Sequence, residues 1–342
     1  MVARSQGAGF MTPLTRVLDC AYPIISAGMG GPARSELAAA VSAAGGFGLL
    51  GMVRESPELI AQEIAAVRQR TDRPFGVNLI PFATAPDLLE AELQVCFAER
   101  VPAMCYFWQV YPDLIARTKQ AGCKVLYQVG TLEDAVAAAD AGADAIIVQG
   151  VEAGGHVRGS LPLMELLPAV AKAVKVPIAA SGGIVDGVGL AASLAMGAHG
   201  VHCGTVFLAT PESFAHDYHK QRIVEAGPED TVHTDLFAIN WPPHSPVRVL
   251  KNSVTAAAGD KLWGYLPDKL PREEIGRDDG RPIWKFSTDS PLRSTTGDFE
   301  KMSLFAGRGA GTVSAIRSAD EVITSMMEGA VSRLQALAGL SK

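Results

Sequence analysis

Short apolar runs alternate with alanine-rich segments of helical period over the first two thirds of the chain. Tyr22-Pro23-Ile24-Ile25-Ser26-Ala27 is the first β-rich run. After a Gly-Met-Gly-Gly turn, Ala38, Val41 and Ser42 share a face at i, i+3 and i+4, which predicts a helix from Arg34 to Ala44. Phe47 to Gly51 reads as a second strand, and its helix, Pro57 to Gln69, opens with Ser56 as N-cap and Pro57 at the first helical position. Strands over 75–79, 103–107 and 124–129 follow, with helices over 86–98, 112–121 and 132–141, the last behind Thr131 as N-cap. Ala145-Ile146-Ile147-Val148 is the sixth strand, Pro177 to Ser181 the seventh and Gly200 to Gly204 the eighth, separated by helices near 162–173 and 187–196. Eight strands separated by helices close a barrel, whereas an open doubly wound sheet usually stops at five or six. The fold expected is therefore α/β, a TIM (β/α)8 barrel.

Past Phe214 the rhythm fails. The text from Ile223 to Phe299 is rich in Pro, Asp and Arg, holds Trp241, Trp263 and Trp284, and shows no alternation of strand and helix. Irregular chain of that length inside a compact protein is more often a functional lid than a linker, and its aromatics argue against disorder. The division expected is a barrel over 1–213 and 300–342, with an inserted smaller irregular or α+β subdomain over 214–299. Helical period returns from Ala319 to Leu337, where Val322, Met326, Ala330 and Leu334 recur, and this segment is expected to complete the outer ring.

Composition narrows the partners. Lys+Arg 30 against Asp+Glu 36 leaves a net charge of −6 with no long block of either sign, which speaks against nucleic acid or an anionic membrane. Five cysteines (20, 96, 105, 123 and 203) are scattered without C-x-x-C spacing, so a reducing cytoplasm fits better than a disulfide framework or a zinc site. Met1 to Pro13 lacks the basic and apolar regions of a signal peptide. The uncharged stretches Leu37 to Val53 and Gly187 to Pro211 carry four and five glycines, and break up as helix, turn and strand rather than membrane spans.

The candidate chemistry gathers at the carboxyl ends of the strands, where barrel enzymes keep their sites. Ala27-Gly28-Met29-Gly30-Gly31 ends strand one, Asn78 strand three, Gln128 strand five, Gln149 and His156 strand six, Ser181-Gly182-Gly183 strand seven and Gly204-Thr205 strand eight. Loops after strands seven and eight commonly hold phosphate, because glycine amides can all point at one anion. No Lys or Arg accompanies these glycines, which suits a monophosphate anchoring a cofactor. Around Gln149, an amide that donates and accepts, paired glycines and a histidine are compatible with a ligand site or with a polar loop. His199 and His202 read as packed or ligand-adjacent rather than metal-binding; His216 and His219 read as an exposed polar helix face. Tyr106, Phe107 and Trp108 read as core or pocket wall, Arg308 as surface or anion-binding, and Cys203 as buried and inert.

With these motifs in order, and with the tail Ala306-Gly307-Arg308-Gly309-Ala310-Gly311, the chain resembles the nitronate monooxygenase (2-nitropropane dioxygenase-like) family. Its members are FMN-binding barrels related to flavin-dependent enoyl-acyl-carrier-protein reductases. The resemblance spans nearly the whole chain, and Glu152-Ala153-Gly154-Gly155-His156 is its most specific string. It implies FMN as cofactor, with Ala27, Gly28 and Met29 beside the flavin, Asn78 bonding near it, Gln149 and Gly154 at its polar edge or ribityl chain, and Gly182, Gly183, Gly204 and Thr205 at its phosphate. Gln128 and Ser181 are taken with this set. Family members often carry Gln two residues before the Gly-Thr pair, where this chain has His202. His156 is the implied catalytic residue; an imidazole near its ordinary pKa of about 6.5 would act as base on a nitroalkane or, protonated, hold the nitronate, and a neutral oxyanion-binding role is equally compatible with a reductase.

The resulting expectation is a cytoplasmic enzyme oxidising nitronates or nitroalkanes with O2. The alternative is an NAD(P)H-dependent flavin reductase of quinones or enoyl thioesters using the same histidine; a flavin-binding regulator without turnover is a third reading. No metal, nucleic acid or membrane partner is expected, and a homodimer is compatible with the sequence. An inosine-monophosphate dehydrogenase-like barrel would need a Gly-Ser-x-Cys-x-Thr string, which is lacking.

Overall fold

A computed structural model describes residues 11–341; the export reading for Met1 to Pro13 therefore lies mostly outside the described residues. The strands in chain order are β1 (Ile24–Ser26), β2 (Gly48–Gly51), β3 (Phe75–Leu79), β4 (Ala103–Phe107), β5 (Lys124–Val129), β6 (Ala145–Gln149), a two-residue β7 (Gly155–His156), β8 (Ile178–Ser181) and β9 (Gly200–Cys203). All but β7 join one parallel sheet in the order β1-β9-β8-β6-β5-β4-β3-β2. The ring shuts where Phe47 N–H donates to Ile24 O at 2.9 Å and Ser26 N–H to Phe47 O at 3.0 Å. The expected barrel is there, with each strand within about two residues of its sequence reading.

Period-2 alternation along the strands sorts two cores. Ile25, Leu49, Cys105, Leu126, Ile147 and Ala179 point inward and pack together, while Leu50, Val77, Tyr106, Tyr127, Ile146 and Val201 point outward under the helices. The inner core is plugged from below by Leu14 and Leu18 of α1 (Pro13–Leu18), a helix too short to show a period in the sequence. The outer ring consists of α2 (Ser35–Ala43), α3 (Pro57–Arg70), α4 (Pro86–Ala98), α5 (Pro112–Gln120), α6 (Leu132–Asp140), α7 (Leu163–Ala173) and α8 (Gly187–Ala195). The caps read from sequence are in place: Ser56 Oγ accepts from Leu59 N–H at 3.2 Å, and Thr131 Oγ1 from Asp134 N–H at 3.1 Å.

After the short α9 (Thr205–Leu208) and α10 (Asp217–Val224), the chain leaves the barrel rhythm. The segment that follows is not irregular. Strands β10 (Thr231–Thr234) and β11 (Val247–Leu250) form an antiparallel sheet with β7; beyond α11 (Ser253–Ala258), β12 (Glu274–Asp278), β13 (Arg281–Trp284) and β14 (Thr295–Gly297) form another. Most of these strands lack the apolar runs of the barrel strands, as in Glu274-Ile275-Gly276-Arg277-Asp278, and β11 pairs with β7 from far earlier in the chain. Finally α12 (Ala319–Ala338) returns to pack on α8 and α2. A Cβ at Gly187 would lie 2.4 Å from Ala330 N, so glycine is what lets α8 and α12 approach.

Candidate active site

Inward-facing strand positions change character at one end of the barrel. Along β5 the inward sequence is Leu126 then Gln128; along β6 it is Ile147 then Gln149; along β8 it is Ala179 then Ser181, and β9 ends its inward row on His202. Apolar layers thus give way to a polar top layer. The fourteen residues read as catalytic or cofactor-binding, Ala27, Gly28, Met29, Asn78, Gln128, Gln149, Gly154, His156, Ser181, Gly182, Gly183, His202, Gly204 and Thr205, all line one cavity of about 760 Å³ above that layer.

The floor is shaped by missing side chains. A Cβ on Gly28 would fall 2.3 Å from Asn78 Cβ, and the Asn78 amide is held by donation to Cys105 O at 3.1 Å. Gly182 and Gly183 adopt φ of 120° and 71°, conformations glycine takes freely. Among the described residues, the backbone N–H groups of Gly182, Gly183, Gly204 and Thr205 have no acceptor, and four such donors beside one cavity form an anion cradle. The Gly-rich tail lies against these loops: Gly307 N–H donates to Thr205 Oγ1 at 2.9 Å, and a Cβ on Gly154 would sit 2.4 Å from Gly307 N.

His202 stands 3.0 Å, Nδ1 to Oγ, from Ser181, and burial pushes its pKa down to about 4. It is neutral, with Nε2 left for the cavity.

His156 is positioned through its backbone. It pairs with Val247 across β7 and β11, and its carbonyl accepts from Gln149 Nε2 at 2.9 Å, while Gln149 Oε1 accepts from Arg158 N–H at 3.0 Å. Gln149 therefore uses one donor and one acceptor on the loop, keeping one of each for a ligand. Buried Arg248 donates to Val151 O through Nε at 3.1 Å and Nη2 at 2.8 Å. The Glu152 carboxylate accepts from Leu163 N–H at 3.1 Å, capping α7. Most of the Glu-Ala-Gly-Gly-His string is thus explained by the loop it builds.

The imidazole of His156 lies 3.8 Å from the Trp241 ring at an interplanar angle of 20°, with Trp108 edge-on at 6.3 Å and Phe305 at 5.9 Å. Its Nε2 is shut from solvent without a partner. Burial first, and the nearby Arg54 guanidinium second, push its pKa down to about 3. The near-neutral base expected from sequence is therefore replaced by a neutral imidazole of low basicity, because aromatic neighbours deny water to its charged form.

Other readings shift. Tyr106 is core, its hydroxyl 2.7 Å from Thr118 Oγ1; Phe107 lines the cavity, and Trp108 stacks on Phe82. His219 is not on an exposed face: it is fully buried with Nε2 3.0 Å from Phe305 O, because the tail folds over α10. His216 caps α10, accepting from Tyr218 N–H, and His199 Nδ1 accepts from Ile178 N–H. Cys203 is buried, and burial pushes its thiol pKa up. Arg308 is exposed. Among the described residues no group of three His, Cys, Asp or Glu could hold a metal, and no helix is long and apolar enough to cross a membrane. Sequence reasoning did not single out Arg54, Trp241, Arg281, Asp289 and Phe305 at the cavity; Arg54 lies in the loop after β2 without a glycine or polar motif to mark it, and the other four come from beyond the last barrel strand.

The family model described as nitronate monooxygenase matches residues 11–329. A probable nitronate monooxygenase of Staphylococcus haemolyticus is 32% identical over 319 residues, covering 74% of this chain and 89% of its own. A hydroxy-methyl-oxo-octahydroindene carboxyl-CoA dehydrogenase of Mycobacterium tuberculosis is 32% identical over 359 residues, covering 96% of this chain and 98% of its own. The solved structure of FabK from Thermotoga maritima superposes with a TM-score of 0.79 at 29% identity, covering 96% of this chain and 99% of its own.

Proposed function

Since the chain belongs to the nitronate monooxygenase family, we propose that it is an FMN-dependent enzyme that oxidises alkyl nitronates with molecular oxygen. The cavity fits such a cofactor: free amides of Gly182, Gly183, Gly204 and Thr205 suit a terminal monophosphate, and the side-chain-free surface at Gly28 suits a flat ring. Asn78, Gln128, Gln149 and His202 would meet its polar edge. Once bound, flavin supplies the electron transfer between nitronate and oxygen that no side chain can.

The observation that carries the substrate reading is His156. Its unpartnered Nε2 and depressed basicity leave a neutral imidazole that can hydrogen-bond a nitronate oxygen and is a poor base for a nitroalkane carbon. The preformed anion is the better substrate, and Arg54 at the cavity rim favours negative charge there. Residues 214–299 act as lid, bringing Trp241, Arg281 and Asp289 to the mouth.

A second reading, NAD(P)H-dependent reduction of quinones or enoyl thioesters, is favoured by the end-to-end likeness to FabK and to a CoA-ester dehydrogenase. A neutral His156 donating to a carbonyl oxygen serves it equally well. Anaerobic titration of the purified holoenzyme separates the two. Bleaching of the flavin bands by a nitronate but not by NADH or NADPH is the expected result; bleaching only by the nicotinamide transfers the assignment to a reductase. Purification without a bound flavin, with no uptake of added FMN, would sink both.

A further inference from the structure

Trp241 is not a strand-end residue, yet it forms the nearest ring contact of His156. Arg54 also lies over the ring, its guanidinium carbon 4.6 Å from the centroid, and its Nη1 donates to Asn240 O. Asn240, in a left-handed conformation at φ 71°, is tied by its amide to Asp289 Oδ2 at 3.0 Å, and Asp289 pairs with Arg281 at 2.9 Å. The indole is thus fixed by cation–π attraction, by the bonded backbone before it, and by an ion pair behind that. Trp241 packs into one apolar cluster with Ile80, Phe107 and Trp108, and Ile80 and Phe107 line the same cavity. Both Trp241 Nε1 and His156 Nε2 are buried without a partner. Buried ring nitrogens that find no protein acceptor point to a ligand carrying oxygens.

We propose that Trp241, clamped by Arg54, is the specificity-determining wall of the site, restricting the ligand beside His156 to a small planar oxyanion. The inference rests on the reading of His156 as the residue that meets substrate. The wall acts by exclusion: a branched or cyclic substituent next to the oxyanion would have to displace an indole stacked on His156 and held by Arg54. Steric selection of this kind is worth about 10- to 200-fold per methylene-sized difference.

Carboxylates are planar two-oxygen stand-ins for nitronates, so acetate, isobutyrate and cyclohexanecarboxylate would be titrated into the holoenzyme by calorimetry, alongside turnover of ethyl, 2-propyl and cyclohexyl nitronates. In Trp241→Ala the affinity for cyclohexanecarboxylate relative to acetate should rise at least about 10-fold. Trp241→Phe, which keeps a flat ring, should hold the wild-type ratio within about 3-fold, and Arg54→Met, which releases the clamp, should move it toward the Ala value. An unchanged ratio in Trp241→Ala overturns the proposal, as does a wild-type enzyme that binds none of the three. If Trp241→Ala loses its cooperative melt, Arg54→Met decides: no change of ratio there is equally fatal. A wild type that discriminates the carboxylates and oxidises no nitronate removes the reaction and leaves the wall. Nitronate turnover with the same size preference in Trp241→Ala removes the wall and leaves the reaction.

Discussion

Gly28 has no room for a methyl group: its Cβ would overlap Asn78 Cβ at 2.3 Å and crowd Leu50 O at 3.2 Å. Gly28→Ala should therefore push Asn78 off the floor, costing about 1–3 kcal/mol of stability and most of the bound flavin; a purified variant with wild-type flavin content and melting temperature would refute the crowding argument. His156 predicts differently. Removing one donor to a developing or bound oxyanion typically costs about 10² to 10³ in rate, so His156→Ala should keep its flavin and lose turnover by that order. Because the pKa of His156 is pushed down to about 3, turnover of preformed nitronate should show no inflection between about pH 5 and 8. An inflection near 6.5 that vanishes in the variant would restore the general-base role. At this level the sequence was readable where a residue ended an inward strand row, as Gln128 and Ser181 do. The low basicity of His156 and the burial of His219 escaped it, because burial depends on rings and chain from distant segments.

The loop after β6 is held by partners outside its own β/α unit. Arg248, on β11, places two donors on Val151 O, and Thr205, opening α9, accepts from Gly307 N–H. Arg248→Met leaves β11 apolar enough to form but strips that carbonyl; a lost bond to a charged donor costs about 1.5–3 kcal/mol. The expected signature is a lowered melting temperature and lowered kcat with flavin retained, since the cradle amides belong to other loops. A variant with wild-type kcat would mean that β7 alone fixes His156. Barrel strands and helices were legible because each carries its own signal: a run of apolar residues, a proline or serine at a start, a glycine at a stop. By contrast β7, at two residues, is a strand only because β11 pairs with it.

Over the molecule, the buried ionisable groups set a pH optimum for stability. His202 and His219 are at most 5% exposed and pushed down to about 4. The unfolded chain takes up protons below about pH 6.5 that the folded one refuses, so stability is complete above that value and falls as pH drops toward 4, by about 1.4 kcal/mol per pH unit for each. Glu92 on α4 runs the other way. It is 0% exposed, and burial lifts its pKa to about 8 against the weaker pull of the Arg54 and Glu55 backbone N–H groups. The folded chain holds a proton that the unfolded one has released, so stability declines as pH rises from about 4.5 to 8. Melting temperature should peak near pH 6.5, and Glu92→Gln should flatten the alkaline side; a profile that still falls from 6.5 to 8 in Glu92→Gln would exclude this carboxyl as the cause.

What the chain determined by itself is the barrel and the ring of polar and glycine residues at its mouth. Those depend on periods of two and of 3.6 residues, and on caps and turns within a few residues of each other, which are local chemistry. Tertiary structure alone decided the state of the imidazole at 156 and what stands against it. Trp241, Arg54 and Phe305 come from three separate segments, and only their meeting removes water from the ring, lowers its basicity and walls the space beside it. Solvation is a property of the surroundings, and no stretch of sequence carries its own.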